Sequence, residues 1–297
     1  MMWAIIFIST FLAFAAGCIY LISRVCRFSF VRRIAKERKK VSIAVSAGIC
    51  ILVVGILAVC MNFTNAIICI LYLLLFWLIS DLLSFLIKKI RKKDWKYYYA
   101  GIMAVLVTCI YMAFGWYQAH GVWEQDYVIH TDKQVGMIRA VLIADSHTGT
   151  TFDGDGFAEY MKKVQAQNPD VVLVAGDFVD DDTSLSDMQK CCAALGALDT
   201  KYGVYYVFGN HDKGYSSPEY RGYDGDDLVL SGHTHGGQLF LIRLFEELTG
   251  VGGNDQIYGL EKDGSTDFLV TSGISDWAIK FKTGCRSEFV VIDIEGK

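Results

Sequence analysis

The sequence predicts an α/β protein in two parts: four N-terminal transmembrane helices, then a two-sheet α/β domain. Three observations carry this reading. Four apolar segments, at 2–23, 41–61, 65–87 and 98–117, dominate the first 118 residues. After them, short apolar runs alternate with helical patterns. Charge divides at the same place, with 14 Lys/Arg against 3 Asp/Glu in the first part and 14 against 29 in the second. The acidic second part argues against nucleic acid as a partner, because a phosphate backbone calls for a basic face.

Each apolar segment is close to the roughly 20 helical residues that a ~30 Å hydrocarbon layer requires. Their interiors hold almost no charge, Asp81 being the exception. None has a polar face to turn toward water, so the lipid bilayer is the expected partner of residues 1–118. Eight Lys/Arg lie between Arg24 and Lys40 and six between Lys88 and Lys96, while the loop at 62–65 has none. Basic loops stay cytoplasmic, which predicts a multi-pass plasma membrane protein whose second domain is extracytoplasmic. The first segment lacks a basic residue ahead of it, so an uncleaved anchor is expected rather than a signal peptide. For Asp81, packing against other helices is the expected role, with a functional intramembrane acid as the alternative. The nine cysteines lack metal-ligand spacing and read as structural.

Residues 119–135 read as a juxtamembrane linker, with Trp123 and Tyr127 suited to the membrane interface. From 136 to 297 the pattern predicts strands at 138–144, 171–174 and 204–208, with helices at 156–167 and 184–198 between them. Strand–helix–strand alternation implies right-handed crossovers and a parallel core. Short strands at 228–230, 268–271 and 288–294 are expected to form a second sheet. The dense apolar stretch from Leu239 to Leu248 is expected to lie in the core, with a lipid-facing entrance as the alternative.

Chemistry-bearing residues cluster just after the predicted strands, where α/β sheets place their sites. They are Asp145-Ser146-His147, Gly176-Asp177-Phe178-Val179-Asp180, Gly209-Asn210-His211-Asp212 and Gly232-His233-Thr234-His235-Gly236-Gly237-Gln238. Alternate spacing lets Asp145 and His147, and likewise His233 and His235, point to one side of an extended chain. Carboxylate and amide oxygens mixed with imidazoles suit Mn²⁺, Fe or Zn²⁺ rather than Ca²⁺.

In these four motifs, and in the tail Thr271-Ser272-Gly273-Ile274 with Arg286-Ser287-Glu288, the chain resembles the calcineurin-like metallophosphoesterases, specifically their membrane-associated branch. The resemblance implies a fold of two facing sheets flanked by helices and a site for two divalent metal ions. It implies that Asp145, His147 and His235 hold one metal, that Asp177 bridges, and that Asn210 and His233 hold the second. Such a pair lowers the pKa of a bound water and clamps the phosphoryl oxygens for in-line attack. His211 would protonate or stabilise the leaving oxygen, with Asp180 orienting its imidazole. Asp212 is expected to brace the loop. The expected substrate is a phosphate ester or pyrophosphate, carried on a small molecule, a nucleotide sugar or a lipid.

One departure accompanies the resemblance. In the family several dozen residues, including another strand and a further histidine ligand, separate the Asn-His motif from the Gly-His-x-His motif. Here only 20 residues lie between Asp212 and His233, and none is histidine. The domain therefore reads as a truncated metallophosphoesterase sandwich, shortened between 213 and 231. Three consequences stay open: a weakened second metal site, replacement of the missing ligand by Asp224, Asp226 or Asp227, or a catalytically impaired relic.

Overall fold

The structure, a computed structural model, describes residues 15–93, 95, 97–180, 183–212, 228–249, 256–264 and 266–297. It divides into two compact units, Met1–Ala113 and Phe114–Lys297.

The first unit is helical: α1 (Ala15–Val25), α2 (Ser29–Ile34), α3 (Lys39–Cys60), α4 (Phe63–Arg91) and α5 (Tyr99–His120), the last continuing into the second unit. Helices α3, α4 and α5, of 22, 29 and 22 residues, are long and apolar enough to cross a membrane. The predicted first span falls within the described residues only from Ala15, as the shorter α1. Asn62 starts α4 by accepting the Asn65 N–H at 2.8 Å, and Lys92 ends it in the left-handed conformation. Lys88, Lys89 and Arg91 occupy its last turn, where cations suit the helix dipole. Leu21, Val25, Val31, Trp77 and Ala104 form the unit's interior. Asp81 is satisfied within it, paired with Arg24 at 2.6 Å and accepting from the Tyr20 and Tyr98 hydroxyls at 2.8 and 3.0 Å.

The second unit contains a five-stranded sheet in the order β1-β8-β2-β3-β4 and a three-stranded sheet in the order β5-β7-β6. The strands are β1 (Val122–His130), β2 (Met137–Ile143), β3 (Val171–Ala175), β4 (Val204–Val207), β5 (Leu228–Ser231), β6 (Gly259–Asp263), β7 (Thr266–Val270) and β8 (Ser287–Glu295). Helices α6 (Gly154–Ala166) and α7 (Leu185–Gly196) form the β2–β3 and β3–β4 crossovers, and both strand pairs are parallel. Asp153 and Ser184 cap these helices by accepting the Gly156 and Asp187 N–H groups.

Period-two alternation sorts the core. Val141, Ile143, Val172 and Val174 pack with Phe157, Met161 and Val164 of α6. Ala140, Leu142, Val290 and Ile292 face the other way, onto Leu269, Leu230 and Leu260 of the second sheet. The result is a helix–sheet–sheet layering.

Three expectations are corrected. The last strand, expected in the second sheet, lies inside the first, antiparallel to β2 and parallel to β1. Its run Phe289-Val290-Val291-Ile292 is buried on both faces, which only an interior strand can be. The segment 119–135, expected as a linker, supplies β1, because strand pairing with β8 satisfies its backbone. The stretch from Leu239 to Leu248, expected in the core, forms most of α8 (Phe240–Thr249), with Phe240, Leu241, Ile242, Leu244, Phe245 and Leu248 exposed. Arg243, half-buried, donates to the Gly284 carbonyl at 3.3 Å and pairs with the exposed Glu247 at 2.7 Å.

Candidate metal centre

Register delivers the site. Ile143 pairs with Val174, and Ala175 with Val207, so Asp145, Asp177 and the loop from Phe208 leave the first sheet at one edge. Ser231 pairs with Val270, which brings His233 and the loop after β7 out of the second sheet together. Backbone bonds join the two groups. The His233 N–H donates to both Asp145 carboxylate oxygens at 3.0 and 2.9 Å, and the Ile274 N–H donates to the Ala144 carbonyl at 2.9 Å.

Backbone strain concentrates here. Asp145, His147, Asp177, His233 and His235 have φ of 52°, 34°, 50°, 74° and 48°. Left-handed backbone is uncommon away from glycine and costs of order 1–3 kcal/mol per residue. Five of the six sequence-predicted metal ligands adopt it. Two glycines allow the close approach: a Cβ on Gly232 would lie 2.6 Å from Asp145 Oδ2, and one on Gly209 would overlap the Asp177 carboxylate.

Asp145, His147 and His235 are buried, with one potential ligand atom from each within 4.8 Å of the others. His147 Nδ1 lies 3.2 Å from Asp180 Oδ2, which sets the tautomer and leaves Nε2 without its hydrogen. That Nε2 is buried without a hydrogen-bond partner, and so is His235 Nδ1. Buried polar atoms are ordinarily satisfied, so two orphaned imidazole nitrogens beside a buried carboxylate fit a divalent cation. The His147 and His235 rings stack at 5.2 Å.

Asp177 lies between the two predicted metal positions, 4.0 Å from His147 Nε2 and 3.8 Å from His233 Nδ1. Its Oδ1 also accepts the His211 N–H at 2.9 Å. The His233 side chain is 61% exposed. Asn210 sits half-buried on the loop between Gly209 and His211. Asp212 braces that loop as expected, accepting from the Phe178, Val179 and Gly209 N–H groups at 2.9, 3.1 and 2.8 Å. Asp180 is shared, since its Oδ1 lies 3.5 Å from His211 Nδ1 while Oδ2 holds His147. Residues 213–227, including Asp224, Asp226 and Asp227, lie outside the described residues.

Electrostatics match a cation-binding role. Burial pushes the Asp145 carboxyl up to about 7, more than the His233 N–H bonds offset. Burial lowers His147 and holds His235 well below the usual imidazole value, so both stay neutral at pH 7. Burial alone would raise Asp177, but the nearby His233 imidazole, the His211 N–H bond and the other neighbouring imidazoles leave it below the usual range. His233 is raised by the Asp177 carboxylate 3.8 Å from its Nδ1.

Sequence reasoning missed the support beneath the site. Lys282 is fully buried and donates to the Ser272 and Ser275 carbonyls at 2.7 and 3.0 Å, with Asp276 at 3.3 Å. It fixes the loop that closes over Asp145, and a lysine within Lys280-Phe281-Lys282 carries no sequence signal for burial. Cys285 donates to the His235 carbonyl at 3.1 Å. Trp277, half exposed, lies with its ring 5.3 Å from His211.

Residues 138–226 match the family described as calcineurin-like phosphoesterase. An uncharacterised metallophosphoesterase of Campylobacter jejuni is 23% identical over 229 residues, covering 54% of this chain and 60% of that protein. One from Helicobacter pylori is 22% identical over 233 residues, covering 55% and 61%. A zebrafish transmembrane protein with metallophosphoesterase domain is 28% identical over 115 residues, covering 37% of this chain and 26% of that protein. The chain thus spans about 60% of the length of the bacterial relatives it matches. No solved structure matches it significantly. Residues 138–226 thus carry a calcineurin-like phosphoesterase domain, in a chain with three helices that are long and apolar enough to cross a membrane.

Proposed function

We propose that the chain is a membrane-anchored, metal-dependent phosphoesterase that hydrolyses a phosphate ester or pyrophosphate outside the cytoplasm. The observation that carries this is the pair of orphaned nitrogens, His147 Nε2 and His235 Nδ1, beside the buried Asp145 carboxylate. Asp145, His147 and His235 would hold one divalent ion; Asn210 and His233 would hold a second, with Asp177 between them. Mn²⁺, Fe and Zn²⁺ suit this mixed donor set. Two such ions activate water and neutralise phosphoryl charge when bound.

The chain's own residues supply the rest. His211 would give a proton to the leaving oxygen, with Asp180, 3.5 Å from its Nδ1, orienting the ring and Trp277 beside it. The outward apolar side of α8 follows directly after the Gly-His-x-His motif. It favours a substrate whose leaving group is lipid-linked over a free nucleotide sugar. The positive-inside asymmetry of the loops supports the extracytoplasmic placement.

A second reading, a catalytically impaired relative, has observations of its own. The match to the Campylobacter protein runs over 229 residues yet takes in 54% of a 297-residue chain, a smaller number, so the alignment opens gaps on this side. Among the described residues β4 is an edge strand, and Tyr205 and Val207 on it are exposed. His233 belongs to neither group of three or more potential ligands found among the described residues.

Metal stoichiometry after Mn²⁺ loading, with hydrolysis of an aryl phosphodiester in the same sample, separates the readings. Two ions per chain, with turnover lost in His211→Ala, is the expected result. One ion or none, without turnover, would establish the impaired form.

A further inference from the structure

The first unit contains a cavity of about 1050 Å³ that the phosphoesterase reading does not use. It lies where α1, α2, α4 and the start of α5 come together. Its lining carries four cations, Arg24, Arg27, Arg32 and Lys88, and one carboxylate among the described residues, Asp81.

That carboxylate is already committed. Arg24 Nε lies 2.6 Å from Asp81 Oδ2, and the Tyr20 and Tyr98 hydroxyls donate to the same group. Arg27 and Arg32 are held in place rather than dispersed. The Arg27 guanidinium stands over the Tyr98 ring at 5.5 Å, and Tyr98 is itself fixed by the Trp77 N–H at 2.8 Å. Arg32 Nη2 donates to the Arg27 carbonyl at 3.1 Å. Arg27 and Arg32, both lining the concavity on this ordered support, are poised for an anion. Guanidinium forks match phosphate geometry.

The same cavity has an apolar wall. Phe85 and Ile102 line it, and both are exposed on helices read as membrane spans. Trp95, at the rim, suits the headgroup level of a bilayer. We propose that this cavity binds an anionic phospholipid, with the phosphate between Arg27 and Arg32 and an acyl chain along Phe85 and Ile102. The phosphate chemistry alone would also admit a soluble phosphate ester. The apolar wall favours the lipid, and basic pockets between membrane helices are suited to such headgroups.

The test uses the full chain, delipidated in detergent and titrated with phosphatidylglycerol or phosphatidylcholine in mixed micelles, or with inorganic phosphate. Phosphatidylglycerol should bind more tightly than phosphatidylcholine, and Arg27→Gln with Arg32→Gln should weaken it about tenfold. Arg33→Gln with Arg38→Gln removes equal charge from the same basic stretch outside the cavity and should change affinity less than about twofold. Arg27→Lys with Arg32→Lys keeps the charge but loses the fork, and should give an intermediate affinity in a folded chain. Equal weakening by both Gln pairs, or equal binding of the two lipids, would overturn the site. Inorganic phosphate binding as tightly as the lipid would overturn the lipid assignment in favour of a soluble ester.

Discussion

Asp180→Asn is the sharpest single perturbation of the site, because one carboxylate serves two imidazoles. Its oxygens lie 3.2 Å from His147 Nδ1 and 3.5 Å from His211 Nδ1, and the side chain is 10% exposed. An asparagine of the same shape offers one acceptor oxygen, so at least one histidine faces an amide N–H₂ instead. A hydrogen bond to a charged group in such surroundings contributes about 1.5–3 kcal/mol. Losing a carboxylate that orients a ligating histidine typically weakens metal binding 10- to 100-fold, which is the same range expressed as affinity. Isothermal titration with Mn²⁺ reads the His147 contact, and kcat toward an aryl phosphodiester reads the His211 contact. The shorter distance predicts that metal affinity falls at least as far as turnover. If neither changes, Asp180 orients nothing and the tautomer argument for His147 Nε2 fails.

Two further outcomes follow from the same geometry. Gly232→Ala places a Cβ 2.6 Å from Asp145 Oδ2, so the carboxylate must move; we expect at least tenfold weaker Mn²⁺ binding, with about 1–3 kcal/mol lost from overpacking by thermal denaturation. Unchanged affinity would show that Asp145 is not a ligand. Proton competition gives the second outcome. The cation needs the ionised carboxylate, and burial raises Asp145 to about 7, while His147 and His235 are lowered and so already neutral. Mn²⁺ affinity should therefore be level above pH 7 and fall about tenfold per unit below it, through one proton. A flat profile from pH 5.5 to 8 would refute this account of the Asp145 environment.

Much of this architecture was legible because hydrophobic period and local chemistry agreed. Strands β2, β3 and β4 alternate with α6 and α7 within a residue or two of expectation, and the ligand-type residues fall just after β2, β3 and β5. What was not legible required knowledge of pairing partners. Phe289 to Ile292 reads equally well as an interior strand of either sheet; only its antiparallel register with β2, Val141 opposite Val291, decides between them. Residues Val122–His130 look polar enough for a linker until β8 supplies the backbone partner. At the site, the residue types announced the metal chemistry, but Asp180 bridging two histidines, the left-handed backbone of five candidate ligands and the buried Lys282 depend on three-dimensional closure.

That backbone strain has a thermodynamic consequence. Five left-handed non-glycine residues, at of order 1–3 kcal/mol each, cost an amount comparable to the whole stability of a typical domain, about 5–15 kcal/mol. Two orphaned imidazole nitrogens add to that cost in the metal-free state. Cation binding offsets part of it, since occupying one site at 100 times its Kd stabilises the folded state by about 2.7 kcal/mol. For a domain of 150–250 residues this corresponds to roughly 5–10 °C in Tm. Titrating Mn²⁺ into EDTA-treated protein should therefore raise the domain's Tm by that amount as the Asp145, His147 and His235 site fills. If His233 and Asn210 hold a second ion, a second rise follows at higher concentration, weaker because His233 is so exposed. A single rise would identify a one-metal relative of the family. A Tm indifferent to both EDTA and Mn²⁺ would mean that the strained backbone serves no cation, and the metal reading of these residues would fall.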